Sequence, residues 1–112
     1  MFSISLNRVR DRIAIKEGDE SIVLHVDVDA RVIVTKIRVA NEKMEGAKKP
    51  GADDKQREAA AYAFSDAIFG PEQTKQLADF YHGDYSCVIT VCGLYFEKRL
   101  AKKITMAQKR QR

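Results

Sequence analysis

The residue types that most often carry chemistry in proteins are few and scattered in this sequence. The two histidines, His25 and His82, are far apart, and neither has a cysteine or carboxylate at ligand spacing, so a metal site is not predicted. Cys87 and Cys92 lie five residues apart, which is neither a CxxC redox motif nor a zinc-binding pattern. We expect both to be reduced thiols in the core.

A nucleophilic pair and a calcium loop are also disfavoured. Cys87 acting with His82 would need an exposed thiol beside positive charge, whereas apolar residues follow this cysteine and favour its burial. Asp27 and Asp29 lack the further acidic ligand and the glycine of a calcium loop, and a strand end followed by a helix cap explains both. The glycines form no phosphate-binding loop. We therefore expect no enzymatic activity and no cofactor.

Length and composition indicate a single globular domain over residues 1–112. The 112 residues are 45% hydrophobic and 32% charged, an ordinary balance for a folded chain of this size. No apolar run is long enough for a signal peptide or a membrane-spanning helix. We expect a cytoplasmic protein without membrane contact.

The net charge of +4 is concentrated at one end of the chain. Residues 97–112 hold seven lysines and arginines against Glu97 alone, a net charge of +6, and the remainder of the chain carries −2. The candidate contacts to a polyanion are Lys98, Arg99, Lys102, Lys103, Lys109 and Arg110. Tyr95 and Phe96 lie on the apolar stripe one or two turns earlier, which favours packing over base stacking. Nucleic-acid binding is therefore the second interpretation, behind a solvated basic tail over 105–112.

Alternating hydrophobicity predicts a β-rich segment over residues 1–28. Short strands are expected at 2–7, 11–16 and 21–27, the last two joined at the turn Glu17-Gly18-Asp19-Glu20. An isolated hairpin is marginal in water, so its apolar face should pack on the helices that follow. An exposed apolar edge on this hairpin would favour self-association into a homo-oligomer.

A helical region is predicted over residues 29–104. Asp29 is a candidate N-cap for an amphipathic helix over roughly 30–45, although the β-branched run Val32-Ile33-Val34 leaves a strand open as an alternative. The glycines, proline and lysines of residues 46–52 then predict a loop.

Three further helices are expected after this loop. The first ends at Gly70, the second begins at Pro71, and the third begins after Asp84 and runs at least to Ile104. Gly93 is expected to let a neighbouring helix approach closely. The predicted fold class is α+β, with an N-terminal β-hairpin of two to three short strands packed on a bundle of three to four α-helices.

The second half of the chain carries a distinctive pattern of packing residues. It contains Ala63-Phe64, Ile68-Phe69-Gly70, Gln73, Leu77-Ala78-Asp79-Phe80-Tyr81, Asp84, Tyr95-Phe96 and Arg99-Leu100-Ala101-Lys102-Lys103-Ile104. This pattern, over roughly residues 60–109, resembles the small tail assembly chaperones of long-tailed phages and prophages of Gram-positive bacteria. In that group a helix ends in an apolar–Phe–Gly stop, and a short Leu-x-x-Phe/Tyr helix and a helix ending in lysines follow.

The resemblance implies a non-catalytic role in viral morphogenesis. Such proteins bind the tape measure protein and tail-tube subunits in the host cytoplasm and are not expected in the finished virion. The implied surface for a helical client is expected on the last two helices, at Phe80, Tyr81, Tyr95, Leu100 and Ile104. Two alternatives are a small nucleic-acid-binding accessory protein that uses the basic C-terminal helix, and a head–tail joining structural protein.

Overall fold

An antiparallel hairpin followed by helices forms the architecture of the computed structural model, which describes Phe2 and residues 6–109. The elements are β1 (Arg8–Glu17), β2 (Glu20–Asp29), α1 (Ala30–Ala47), α2 (Asp54–Phe69), α3 (Pro71–Phe80), α4 (Tyr85–Tyr95), a π-helical turn (Phe96–Leu100) and α5 (Ala101–Lys109). The final three elements are continuous and are together called the last helix. The predicted α+β class, with a two-stranded hairpin on a helical bundle, is confirmed.

The hairpin turns at the predicted glycine, and its strands are longer than predicted. Gly18 has a φ of 60°, which suits the tight two-residue turn that joins β1 to β2. The pairing is regular from Glu17 opposite Glu20 to Arg8 opposite Asp29. Both strands therefore continue beyond the apolar alternation, because ladder hydrogen bonds do not depend on side-chain type.

The predicted strand at 2–7 is not seen where the structure describes it. Residues 3–5 lie outside the described part of the chain, and Leu6 and Asn7 form a bend. The Asn7 carbonyl accepts a hydrogen bond of 2.7 Å from the backbone N–H of Ala30. This bond joins the entry to β1 to the first residue of α1.

The segment that begins at Ala30 is helical, so the strand left open as an alternative does not form. The N-cap of this helix explains why its β-branched run is helical. The Asp29 carboxylate accepts a hydrogen bond of 2.8 Å from the backbone N–H of Arg31, as an N-cap does. The Arg31 guanidinium donates to the same carboxylate and lowers the pKa of Asp29 to about 2. Ile33 and Ile37 are then buried on one side of α1.

The hydrophobic core lies between one face of the hairpin and the four helical segments. The hairpin contributes alternate residues, Val9 and Ile13 from β1 and Leu24 and Val26 from β2. The other face of the hairpin is solvated, as expected for an antiparallel pair packed on one side. None of the helices within the described residues is long and apolar enough to cross a membrane.

The last helix accommodates one extra residue at its π-helical turn. Its buried residues are spaced three or four apart except for one step of five, and they are Val88, Cys92, Tyr95, Leu100, Ile104 and Ala107. A π-helical turn joins residues five apart, so it absorbs the longer step between Tyr95 and Leu100. One continuous stripe therefore faces the core over the whole helix.

Gly93 does not serve the close approach that the sequence suggested. A Cβ atom placed there would meet no atom within 4 Å outside its own helical turn. The prediction is wrong because the neighbouring helices pack against the buried side of α4, and Gly93 lies beside that side.

Gly93→Ala should therefore stabilise the protein. The added methyl group meets open space, and alanine loses less backbone entropy than glycine in a helix, so we expect the free energy of unfolding to rise by about 0.5–1 kcal/mol. Urea denaturation followed by circular dichroism measures it. The matched control is Gly70→Ala, which should destabilise because Gly70 has a φ of 84°. A loss of stability in Gly93→Ala would contradict the open environment.

Candidate protein-binding surface

The predicted surface residues at the end of α3 are partly accessible. Phe80 and Tyr81 are half-buried and stack edge to face, with ring centroids 5.1 Å apart. The Tyr81 hydroxyl donates a hydrogen bond of 3.1 Å to Glu17 at the tip of the hairpin. Burial, together with the Glu17 carboxylate, raises the pKa of Tyr81 to about 12. This aromatic pair therefore joins the bundle to the hairpin and leaves part of both rings in contact with solvent.

The predicted surface residues on the last helix lie in the core instead. Leu100 has no exposed surface, and Tyr95 and Ile104 are 6% and 7% exposed. α5 contacts β1 and α1, so the apolar stripe expected to hold a client packs on the protein's own hairpin and first helix. In the folded chain these three side chains are not accessible to a partner.

A buried carboxylate that the sequence did not single out anchors this stripe. The Asp11 side chain is 7% exposed. It accepts hydrogen bonds of 2.9 Å from the Tyr95 hydroxyl and 2.6 Å from the Arg99 guanidinium. Burial and the adjacent Asp11 charge raise the pKa of Tyr95. The position of Asp11 in the sequence could have indicated its burial. It lies between the apolar Val9 and Ile13 in the strand alternation, so it shares their inward face of β1.

The candidate polyanion contacts differ in their surroundings. Arg99 is held by Asp11, and Arg110 lies outside the described residues. Lys103 is half-buried, whereas three lysines at spacings of four and seven residues are exposed: Lys98, Lys102 and Lys109. These three form the lysine ridge on one side of the last helix. Within residues 6–109 no ion pair involves a lysine of this ridge.

An extended depression with a largely apolar floor lies between α1 and α2, away from the residues singled out from the sequence. This α1–α2 groove has a volume of about 440 Å³. Its walls include Lys36, Val39, Ala40 and Lys43 from α1 and Ala63, Asp66 and Ala67 from α2. A neighbouring hollow of about 240 Å³ shares Lys36 and Ala67 and continues to Val32 and Asp29. Small residues on α2 keep the space open.

A second stripe on α1 forms the rim of this groove. Val32, Lys36, Val39 and Lys43 follow one another at steps of four, three and four residues, so they lie along one side of the helix. Val32 and Val39 are 50% and 48% exposed. The stripe is about 17 Å long, or three helical turns, at about 1.5 Å per residue. This stripe was not among the residues singled out from the sequence.

A smaller hollow of about 290 Å³ lies where α1 ends and α4 begins. Its apolar lining includes Met44 and Ile89, and its two cations are each paired with an acidic neighbour on their own chain segment, Lys48 with Glu45 and Arg57 with Asp54. Neither Lys36 nor Lys43 has an ion pair within the described residues. Compared with this smaller hollow, the α1–α2 groove therefore has a longer apolar floor, and its two lysines are able to form ion pairs with a partner.

The thiols are poorly suited to nucleophilic chemistry. Burial raises the pKa of Cys92 to about 12. Partial burial and the carboxylate of Asp84, to which the Cys87 thiol donates a hydrogen bond of 3.5 Å, raise the pKa of Cys87 as well. A nucleophilic cysteine instead needs a lowered pKa. The described residues contain no cluster of three or more histidines, cysteines and carboxylates that could hold a metal ion.

Comparisons with known proteins identify no relative. No protein-family model matches the chain, and no curated protein or solved structure is significantly similar to it. Its function is therefore inferred from the geometry of its surfaces and from the pattern of packing residues over 60–109.

Proposed function

We propose that this chain is a non-catalytic phage tail assembly chaperone that binds a helix of the tape measure protein in the α1–α2 groove. The groove carries the proposal, because it combines an apolar floor with two half-exposed valines on a folded surface. Exposed apolar residues in a line along a groove are typical of surfaces that hold an amphipathic helix. Delivery of the client to tail-tube subunits, in the host cytoplasm, completes the proposed role.

The two exposed lysines on the α1 wall of the groove favour a client helix with acidic flanks, while Asp66 lies on the opposite α2 wall. Lys36 and Lys43 lie seven residues apart, on the same side as Val32 and Val39. A helix that buries its apolar stripe on the two valines would place its flanking residues near both ammonium groups. Glutamates or aspartates at those positions would form ion pairs that fix the register of the client and reject basic helices.

The lysine ridge gives weaker support to nucleic-acid binding. Its charges are exposed, but the nearest aromatic residues are not arranged as stacking platforms. Tyr95 is buried against Asp11, and Phe96 packs edge to face on Phe64 with ring centroids 6.3 Å apart. Arg99, the one guanidinium of the described basic segment, is already neutralised. The ridge is better suited to keeping the chaperone soluble while it carries an apolar client.

Val39→Glu should abolish chaperone activity toward the tape measure protein. The substitution places a carboxylate on the apolar floor where the client packs, and burying it there without a partner is costly, so we expect soluble client to fall about tenfold or more. The measurement is co-expression of the two proteins, followed by quantification of the soluble client and by size-exclusion chromatography of the complex.

Leu94→Glu provides the matched control for this experiment. Leu94 is 49% exposed, against 48% for Val39, and lies on α4 outside the groove. Both substitutions add the same charge at an equally exposed apolar position, and both should leave stability nearly unchanged. Equal loss of client in the two variants would contradict binding in the groove. Unchanged client solubility in the presence of the unmodified chain would contradict the chaperone role itself.

A further inference from the structure

Among residues 6–109, no strand pairs with the outer edge of β1. The side chain of Gln73 donates a hydrogen bond of 2.6 Å to the carbonyl of His25 and accepts one of 2.7 Å from its N–H. Both backbone groups of His25 thus point away from β1. Because Arg12 lies opposite His25 in the antiparallel register, its backbone groups point away from β2 in turn.

The same geometry sets the direction of every second residue of β1. Arg10, Ala14 and Lys16 share the orientation of Arg12, so their backbone groups face the open side of the strand. The N–H of Arg12 is bound by the adjacent Asp11 carboxylate at 2.8 Å, and within the described part of the chain no hydrogen bond engages the N–H groups of Ala14 and Lys16. Gln73 occupies the outer edge of β2 at His25, whereas no described strand pairs with the backbone at the outer edge of β1.

The side chains along this edge are exposed and mostly basic. The guanidinium of Arg10 lies 3.5 Å from the carboxylate of Asp27. Arg12 and Lys16 have no ion pair among residues 6–109, and Ala14 between them adds no bulk. An incoming strand would therefore meet free backbone donors and acceptors beside two uncompensated positive charges.

We propose that the β1 edge binds an extended acidic segment of a partner protein by strand addition. Main-chain hydrogen bonds to Ala14 and Lys16 would supply the affinity. Acidic side chains at every second position of the segment would lie beside Arg12 and Lys16 on the outer face of the enlarged sheet, and these pairs would supply the specificity. This inference is independent of the α1–α2 groove and of the client proposed for it.

A second copy of this chain is a poor occupant of the same edge. An antiparallel β1–β1 pair centred on Arg12 would place Arg12 opposite its own copy and Arg8 opposite Lys16. Like charges directly opposite each other destabilise a strand pair. Basic residues on an edge strand are a common protection against self-pairing, so the charge pattern selects an acidic partner.

The test uses a fluorescent peptide that alternates glutamate with valine and threonine. Its binding to the unmodified protein and to the variants Ala14→Pro and Ala14→Thr is measured by fluorescence anisotropy. Proline at this position removes an N–H that faces the open edge and leaves the β1–β2 ladder intact, since edge strands accept proline there. Threonine keeps the N–H. We expect the Ala14→Thr variant to bind as the unmodified protein does and Ala14→Pro to bind about tenfold more weakly.

A second probe keeps the test valid if the proline variant fails to fold. The same peptide methylated on alternate backbone nitrogens cannot donate to the carbonyl groups of the edge, and it should bind at least tenfold more weakly to the unmodified protein. Equal binding of the methylated and unmethylated peptides, or of the proline and threonine variants, would show attraction by charge alone and overturn the proposal. So would absence of binding at low salt. Val39→Glu should bind this peptide normally, which separates this inference from the groove.

Discussion

Leu100→Ala should lower the free energy of unfolding by about 2–5 kcal/mol, because it removes a large apolar side chain from a fully buried position and leaves a cavity. Leu100 directly precedes α5, which contacts β1 and α1, so the cavity would open next to the place where the hairpin joins the bundle. Urea denaturation monitored by circular dichroism measures the change. If only stability is affected, the slope of the free energy of unfolding against urea concentration should be unaltered.

Met106→Ala is the control on the same helix. Met106 is 65% exposed, so its truncation should change stability by no more than about 0.5 kcal/mol. A client-contacting Leu100 would show the opposite behaviour, with weaker client binding and unchanged unfolding. The comparison therefore distinguishes the structural role of this stripe from the binding role that its apolar character first suggested.

The regular elements were predictable because their signals are local. Asp29 and Asp84 have side chains that accept backbone N–H groups at the first turn of a helix, and the glycine at position 18 permits the tight hairpin turn. Such signals depend on a few neighbouring residues. They fixed the starts of α1 and α4 even where the β-branched run in α1 favoured a strand.

The position of the binding surface was less predictable because an apolar stripe has the same periodicity whether it meets a partner or its own chain. Leu100 and Ile104 looked like a surface that continues past the core, yet both side chains are buried in the folded chain. The π-helical turn contributes to this, since it brings Leu100 back into line with Tyr95 after a step of five residues. A strict α-helix would have turned Leu100 partly away from the core.

The α1–α2 groove depends on contacts between elements that are distant in sequence. Val39 on α1 is half-exposed because Ala63 and Ala67 on α2 are too small to cover it. The small size of these alanines matters only because α1 lies beside them. The groove and the β1 edge lie on different elements and present different chemistry, one for an apolar helix and one for an extended acidic strand.

Asp11→Ala should lower the free energy of unfolding by about 2–3 kcal/mol. The substitution leaves the Tyr95 hydroxyl without its acceptor in a buried environment, and an unsatisfied buried hydroxyl costs about 1–3 kcal/mol. Arg99 also loses a partner, but about half of its side chain is exposed and water can replace the carboxylate. Arg99→Gln alone should therefore cost no more than about 1 kcal/mol.

The link between Asp11 and Tyr95 is measured by adding Tyr95→Phe to each background. In the unmodified protein we expect this change to cost about 1–2 kcal/mol, because it breaks a hydrogen bond to a buried charge and leaves that charge less well satisfied. In the Asp11→Ala background it should instead raise the free energy of unfolding by about 1–3 kcal/mol, since it removes a buried hydroxyl that has no acceptor left. The two effects are then strongly non-additive, as expected for groups in direct contact. Additive effects would mean that Asp11 stabilises the hairpin without acting through the last helix.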